Sequence, residues 1–271
     1  MKKNLLIILF TIMFVSILAA CGGNSDQGDS DKTTEEDNKE ATNDQDTYVV
    51  ATDNGYVPFE YIDEETNELV GFDIDLMTAL AEEANIDIEF QTLEFDGIVA
   101  GIGSGRFDIA IAGMGITEER KESIDFSEPY YHGGLILAVQ QDDDEIKSIE
   151  DIDGKSVATR TGSTSQEYLT KNTDANIEAF PGIIEGYQNV IAGRADAILY
   201  DLPNVQYYTE KEAKGELKTV GERLTSEDYG IGFPKGSDLR DKVDDALKTL
   251  KENGKYDDIY EEWFGERPEG T

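Results

Sequence analysis

Cysteine, histidine and tryptophan each occur once in the 271 residues. Cys21 alone excludes an internal disulfide. His132 alone leaves no second imidazole to share a metal, so it reads as a packed or exposed ring rather than a ligand. The patterns GxSxG, HExxH and GxxxxGK followed by Ser or Thr are absent as well, which leaves no nucleophile elbow, zincin helix or phosphate-cradling loop. Basic residues are scarce: 23 Lys and Arg stand against 59 Asp and Glu, for a formal charge of −36. Such a surface repels nucleic acid and anionic headgroups and disfavours direct phosphate binding. Nine of the acids and two lysines fall between residues 22 and 47, so most of the acidity belongs to the rest of the chain. It fits a saline or alkaline exterior, where screening relieves self-repulsion.

Long apolar runs are rare too. The one between Leu5 and Ala20 follows Lys2 and Lys3 and ends in Leu18-Ala19-Ala20-Cys21. It is short of the roughly 20 residues a spanning helix needs, and small residues ahead of the cysteine mark a cleavage site. The stretch resembles a bacterial lipoprotein signal. That resemblance implies removal of residues 1–20, lipid on the sulfur and amine of Cys21, and anchorage at the outer, extracytoplasmic face of the cytoplasmic membrane. Residues 22–47 contain one alanine and no aromatic or branched aliphatic residue. They bury too little to order themselves and are expected to form, with Cys21, a disordered acidic tether over 21–47. A body of about 220 residues remains, enough for one large domain or two lobes.

The stretch Asp108–Ser127 organises that body. Ile109 to Ala112 is a short apolar run without helical period, Gly113 and Gly115 let the backbone turn, and Thr117 is placed to cap a helix opening with Glu118, Glu119 and Arg120. A guanidinium beside unpaired backbone N–H groups at a strand end suits a planar carboxylate. The same letters also describe a solvated helix with Arg120 paired to a neighbouring glutamate. Upstream, Tyr48–Thr52 has strand composition, and Asp53 and Tyr56 follow its carboxyl end, the edge at which open α/β sheets bind ligands. Asp73 or Asp75 is expected to cap the helix whose stripe is Leu76, Met77, Leu80, Ala81 and Ala84. Phe95 precedes a helix over about 96–103, and the hydroxyl-rich loop 161–165 caps another through Tyr168 and Leu169. The C-terminal rings of Tyr256, Tyr260, Trp263 and Phe264 belong to the core.

One tetrapeptide pattern occurs twice. Gly105-Arg106-Phe107-Asp108 and Gly193-Arg194-Ala195-Asp196 each stand between a helical pattern and an apolar strand. The repetition predicts two lobes on one plan, with Asp201, just past the second apolar strand, in the facing half of a cleft. A convenient helix-to-strand turn used twice would leave the same letters.

In order along the chain, VVATDNGYVPFEY, VGFDIDLM, FDGIVAG, FDIAIAGMGITEERKESIDFSEPYY, DIDGKSVATRTGSTS, GRADAILYDLPN, YGIGFPKGSDLRDKV and LKENGKYDDIYEEWFG closely resemble the solute-binding proteins (family 3) of polar amino-acid ABC importers. The glutamine-binding members are the nearest match, and the resemblance covers nearly all of residues 48–268. It implies an α/β, two-lobed periplasmic-binding-protein-like fold (type II). Lobe 1 would comprise 48–129 and 230–271 and lobe 2 135–224, with crossing segments at 130–134 and 225–229 and the ligand cleft between the lobes. It further implies a receptor rather than an enzyme, monomeric and without cofactor, that delivers its ligand to permease subunits.

By the same resemblance Arg120 holds the ligand's α-carboxylate and Asp201 its α-ammonium, while Tyr56 and Phe95 form the aromatic walls. Backbone groups of Ala112, Gly113, Gly115 and Thr164 complete the hydrogen bonds, and Asp53 and Arg160 face the ligand's side chain. One acceptor and one donor suit a terminal amide: glutamate would meet Asp53, and arginine or lysine would meet Arg160, each as a like charge. Glutamine is therefore the expected ligand, with glutamate or a basic amino acid as the alternatives. Two positions depart from the family pattern. Gly115 stands where Ser or Thr is usual, and Arg160 where the glutamine binders carry lysine, a fork that also suits a carboxylate. An enzyme on the same architecture is the alternative from another class.

Overall fold

Tyr48–Thr52 pairs in parallel with Ile88–Thr92 on one side and Ile109–Ala110 on the other. The helices Phe72–Ala84 and Phe95–Gly103 carry the chain back over the sheet, so each new strand starts in the same direction. Gly232–Pro234 and Ile124–Phe126 complete this sheet as an antiparallel pair. In a second sheet Ser156–Arg160 lies between Asn176–Phe180 and Ala197–Asp201, all parallel, with Thr164–Asn172 and Ile183–Ile191 as crossover helices. Leu135–Gln140 and Leu217–Val220 finish it antiparallel. The second, first and third strands stand in the same spatial order in both sheets, followed by an antiparallel strand. This computed structural model describes residues 47–268; the leader, Cys21 and residues 22–46 of the tether lie outside them. The result is a two-lobed α/β fold.

The repeated tetrapeptide does the same work in each lobe. Gly105 and Gly193 turn the chain at φ +73° and +66°, values that favour glycine. Asp108 Oδ2 then accepts the N–H of Val49 at 2.9 Å, and Asp196 Oδ2 that of Ser156 at 2.7 Å. Each aspartate thereby ties its own strand's entry to the first strand of its sheet.

The chain leaves the first sheet after Phe126 to enter the second at Leu135, and returns between Val220 and Gly232. The two passing segments pair with each other as an antiparallel ribbon, Tyr131–Gly133 against Glu227–Tyr229. Exposed His132 faces Asp228 across it, Nδ1 to Oδ1 at 2.6 Å. Behind the first sheet the C-terminal rings join the core. Phe72 meets Phe264 at 5.2 Å between centroids, Tyr131 stacks on Tyr260 at 5.8 Å, and buried Tyr256 sends its hydroxyl to the Tyr130 carbonyl.

Asp73 and Asp75 do not cap their helix. It starts at Phe72 with Gly71, two residues before Asp73, as N-cap, and Gly71 crosses so close to Phe59 that a Cβ there would lie 2.0 Å from the Phe59 carbonyl oxygen. Asp75 instead accepts the Trp263 indole N–H at 2.8 Å, and Asp73 is fully buried. The apolar run 109–112 is strand only at Ile109–Ala110; beyond it the chain leaves the ladder and heads for the cleft.

Replacing Asp196 by Ala leaves a strand N–H without its acceptor and is expected to lower the unfolding free energy by about 1–2 kcal/mol. Asp108→Ala should do the same from the other lobe, and urea unfolding of both variants checks it.

Candidate functional site

The carboxyl ends of the parallel strands from the two sheets face each other. Asp53 follows Tyr48–Thr52, Ala112 to Gly115 follow Ile109–Ala110, Arg160 ends its strand and Asp201 ends another. The four charged groups are withdrawn from water: Asp53 and Arg160 are 2% exposed, Asp201 6% and Arg120 9%. Burial at this level demands partners, and those partners come from opposite lobes.

At one end of the cleft the Arg160 guanidinium pairs with Asp53 and donates Nε–H to the Pro181 carbonyl at 3.0 Å. Glu94 stands 3.8 Å from the same guanidinium. Burial works against the charge of Arg160, but Tyr200 and Asp53 outweigh it and hold its pKa above the ordinary arginine range. At the other end Tyr56 donates its hydroxyl to Asp201 Oδ2 at 2.8 Å, and the Tyr229 hydroxyl lies 3.0 Å from that of Tyr56. Asp201 Oδ1 is buried without a hydrogen-bond partner. Burial, then the charge of Glu227, push the Asp201 carboxyl up to about 7.

Arg120 is positioned by its helix cap. Thr117 Oγ1 accepts the Arg120 N–H at 3.1 Å and starts the single turn Glu118–Lys121. The arginine side chain turns inward rather than into solvent, while Glu118 pairs with Lys121. Its Nη1 donates to the Gly115 carbonyl at 2.8 Å and its Nη2 to the Gly162 carbonyl, in the other lobe, at 3.0 Å. No carboxylate among the described residues reaches ion-pair distance; Asp201 and Glu227 act on it from farther away, and burial lowers its pKa. Arg120 therefore retains donors for a planar anion. The Phe95 ring is within reach of both guanidiniums, 5.1 Å from Arg120 Cζ and 5.3 Å from Arg160 Cζ, and its π-electrons attract both cations.

The glycines set the approach distances. Gly113 has φ +52° and packs so tightly under Tyr56 that a Cβ would lie 2.2 Å from the ring. Its N–H, expected to serve a ligand, instead donates to Asp73 Oδ2 at 2.9 Å, beside the Tyr130 hydroxyl at 2.8 Å. Burial pushes Asp73 up to about 6 and, with Asp73 as neighbour, raises buried Glu60 as well. Ala112 is buried in the cluster that holds Phe95 and Met114. At Gly115 a Cβ would stand 3.2 Å from Thr164 Cγ2, and Thr164 itself opens a helix of the second lobe while its hydroxyl donates to Glu227 Oε2 at 2.8 Å. Contacts thus join Asp53 to Arg160, Tyr56 to Asp201 and Gly113, Phe95 to Arg120 and Arg160, and Gly115 to Arg120 and Thr164.

Glu94, Glu227 and Tyr229 were not anticipated, and Tyr200 was anticipated only as the neighbour of Asp201. Glu227 and Tyr229 alternate on one strand and so face the same side, but nothing in the letters places that strand against the cleft.

Residues 48–266 match the sequence profile described as bacterial extracellular solute-binding proteins, family 3. The chain is 31% identical over 267 residues to the L-cystine-binding protein TcyA of Bacillus subtilis (strain 168), covering 98% of each. It is 30% identical over 274 residues to the ABC transporter glutamine-binding protein GlnH of the same organism, covering 99% of each. Among solved structures, an ancestral arginine-binding protein, bound to arginine in one and to glutamine in another, is 41% identical with a TM-score of 0.77. That similarity covers 81% of this chain and 98% of that one.

Folded Asp73 and Asp201 hold protons to about pH 6 and about pH 7, which the unfolded chain releases near pH 3.9. The unfolded state binds fewer protons in that window, so stability is greatest at its acidic end and falls as pH rises. The thermal midpoint is expected to drop between about pH 4 and about pH 7; a flat or rising midpoint would contradict the assignment.

Proposed function

The chain belongs to the bacterial extracellular solute-binding proteins, family 3, and from that premise we propose that it is an extracytoplasmic receptor for a polar L-amino acid, glutamine foremost. One observation carries this reading: a buried guanidinium without a carboxylate partner and a buried carboxylate with an unpartnered oxygen face one cleft from separate lobes. A zwitterion supplies both missing charges at a fixed separation. Arg120 then takes the α-carboxylate and Asp201 the α-ammonium. Tyr56 and Phe95 wall the aliphatic part, and Ala112, Gly113, Gly115 and Thr164 offer the backbone groups not already engaged.

The side chain of the ligand meets Asp53 and Arg160. A terminal amide accepts from the guanidinium and donates to the carboxylate without a like-charge contact, which favours glutamine. A second reading, a basic amino acid, is favoured by Glu94, which with Asp53 outnumbers the single cation at that end. The two ligands solved with the ancestral arginine-binding protein, arginine and glutamine, pose the same choice.

Capture follows from the two-lobe geometry. Opening separates Asp53 and Tyr56 from Arg160 and Asp201, and closure about the segments near 130–134 and 225–229 reunites them around the ligand. The closed surface is what permease subunits of an ABC importer recognise. The receptor acts as a monomer, without cofactor or catalysis, tethered to the outer face of the cytoplasmic membrane through lipid on Cys21.

A thermal-shift panel of amino acids tests the reading. Ligand at about 100 times its dissociation constant adds roughly 2.7 kcal/mol and moves the midpoint by several degrees; glutamine is expected to give the largest shift, and no shift with any amino acid overturns the proposal. Arg120→Ala should lose about 3–5 kcal/mol of binding, which abolishes the shift.

A further inference from the structure

Glu227 takes no part in the reading above, yet it occupies the main-chain end of the cleft. It stands half-buried on the returning crossing strand, where its Oε2 accepts the Thr164 hydroxyl at 2.8 Å and its Oε1 the Thr225 hydroxyl at 3.1 Å. Thr225 is itself fixed, since its hydroxyl oxygen accepts the Leu135 N–H at 3.1 Å. A Cβ on Gly115 would lie 3.4 Å from Glu227 Oε2 and 3.5 Å from Arg120 Nη1. The carboxylate therefore reaches the space beside Gly115, next to the guanidinium assigned to the ligand's carboxylate.

The same strand reaches the ammonium side. Two residues on, the Tyr229 hydroxyl touches that of Tyr56, which donates to Asp201. Asp201 Oδ1 has no partner, on a residue only 6% exposed. Two carboxylates and one guanidinium thus share this end of the cleft, each held by hydroxyls or carbonyls. Their charges balance when one more cation joins them.

We propose that Glu227 is a second carboxylate of the ammonium subsite and selects ligands that carry a charged α-amine. This rests on the amino-acid reading above. Until a ligand binds, burial of both carboxyls, together with the charge of Glu227 beside Asp201, favours a proton on the pair. The other groups facing the pair are Arg120, whose charge favours ionisation, Tyr56, Tyr200 and Tyr229, which burial keeps neutral, and Glu167, which faces Arg120 and adds negative charge. The ligand's ammonium replaces the proton, which leaves to solvent. Affinity should therefore rise with pH up to about 7 and then level.

Titration calorimetry on the full chain tests this, with L-glutamine and its des-amino analogue glutaramate, and with L-arginine and its des-amino analogue. Wild-type and Glu227→Gln proteins are compared in buffers of different ionisation enthalpy. The variant is expected to bind the amino acid about tenfold or more weakly and the des-amino analogue unchanged, with less proton release and a pH profile moved to lower pH. Glu227→Asp, which keeps the charge, should retain the preference for the amine. Equal loss for both probes, or no loss, overturns the role of Glu227 while the receptor reading stands. Where wild-type protein binds neither L-glutamine nor L-arginine, the same comparison is made with the amino acid that gives the largest thermal shift, and failure to bind any amino acid overturns the receptor reading and this inference with it.

Discussion

Arg120 is a buried cation stabilised by carbonyls, and much of the cleft answers to that fact. Two neutral acceptors, one from Gly115 and one from Gly162, orient the fork without neutralising it. A charge in low dielectric whose direct hydrogen-bond partners are dipoles and whose nearest carboxylates, Asp201 and Glu227, stand beyond ion-pair distance is costly, so the site stays disposed toward an anion. The acceptors belong to different lobes, which makes the orientation of the guanidinium depend on closure. In the proposed capture cycle, parting of the lobes would take Gly162 from Nη2 and give the cation water.

The fold supplies that dependence by using one topology twice. In both sheets the first strand ends in the cleft, and the aspartate of the repeated turn ties the third strand's entry to it. Duplicating a parallel sheet brings two carboxyl edges together, and these are the edges at which side chains and freed backbone groups collect. Three of the contacts there are interlobe pairs: Asp53 with Arg160, Tyr56 with Asp201, Gly115 against Thr164. The chain between the sheets also joins the site, since Glu227 and Tyr229 lie on the ribbon that spans them.

Much of this was legible because it is local. Thr117 caps its helix, Tyr48–Thr52 is a strand as its composition predicts, and Gly105 and Gly193 turn as glycines between helix and strand do. What was misread depends on distant partners. Asp73 carries a capping signature, but its hydrogen bonds go to Gly113 and Tyr130, 40 and 57 residues away. The sequence around Arg120 fits a solvated helix equally well, and the contact that decides is with Gly162, 42 residues on. Glu227 was missed because a half-buried acid on a short edge strand looks like any surface acid.

Counting charges along the cleft separates recognition from selectivity. On the proposed reading, Arg120, Asp201 and Glu227 surround the position that every α-amino acid fills alike, and that end distinguishes amino acids from other solutes. At the far end Arg160 is paired with Asp53 and stands near Glu94, and the same reading puts there the part that differs between amino acids. There the ion pair of Asp53 and Arg160 must admit a group between or beside its partners, and the cost of rearranging a buried pair is set by how well that group replaces each contact. An amide replaces one donor and one acceptor; a guanidinium satisfies Asp53 and Glu94 but repels Arg160. Which of these wins turns on Glu94, the more exposed of the two acids, whose charge is screened most by solvent. Screening weakens the case for a cation more than the case for an amide, because the amide draws on the two buried partners alone.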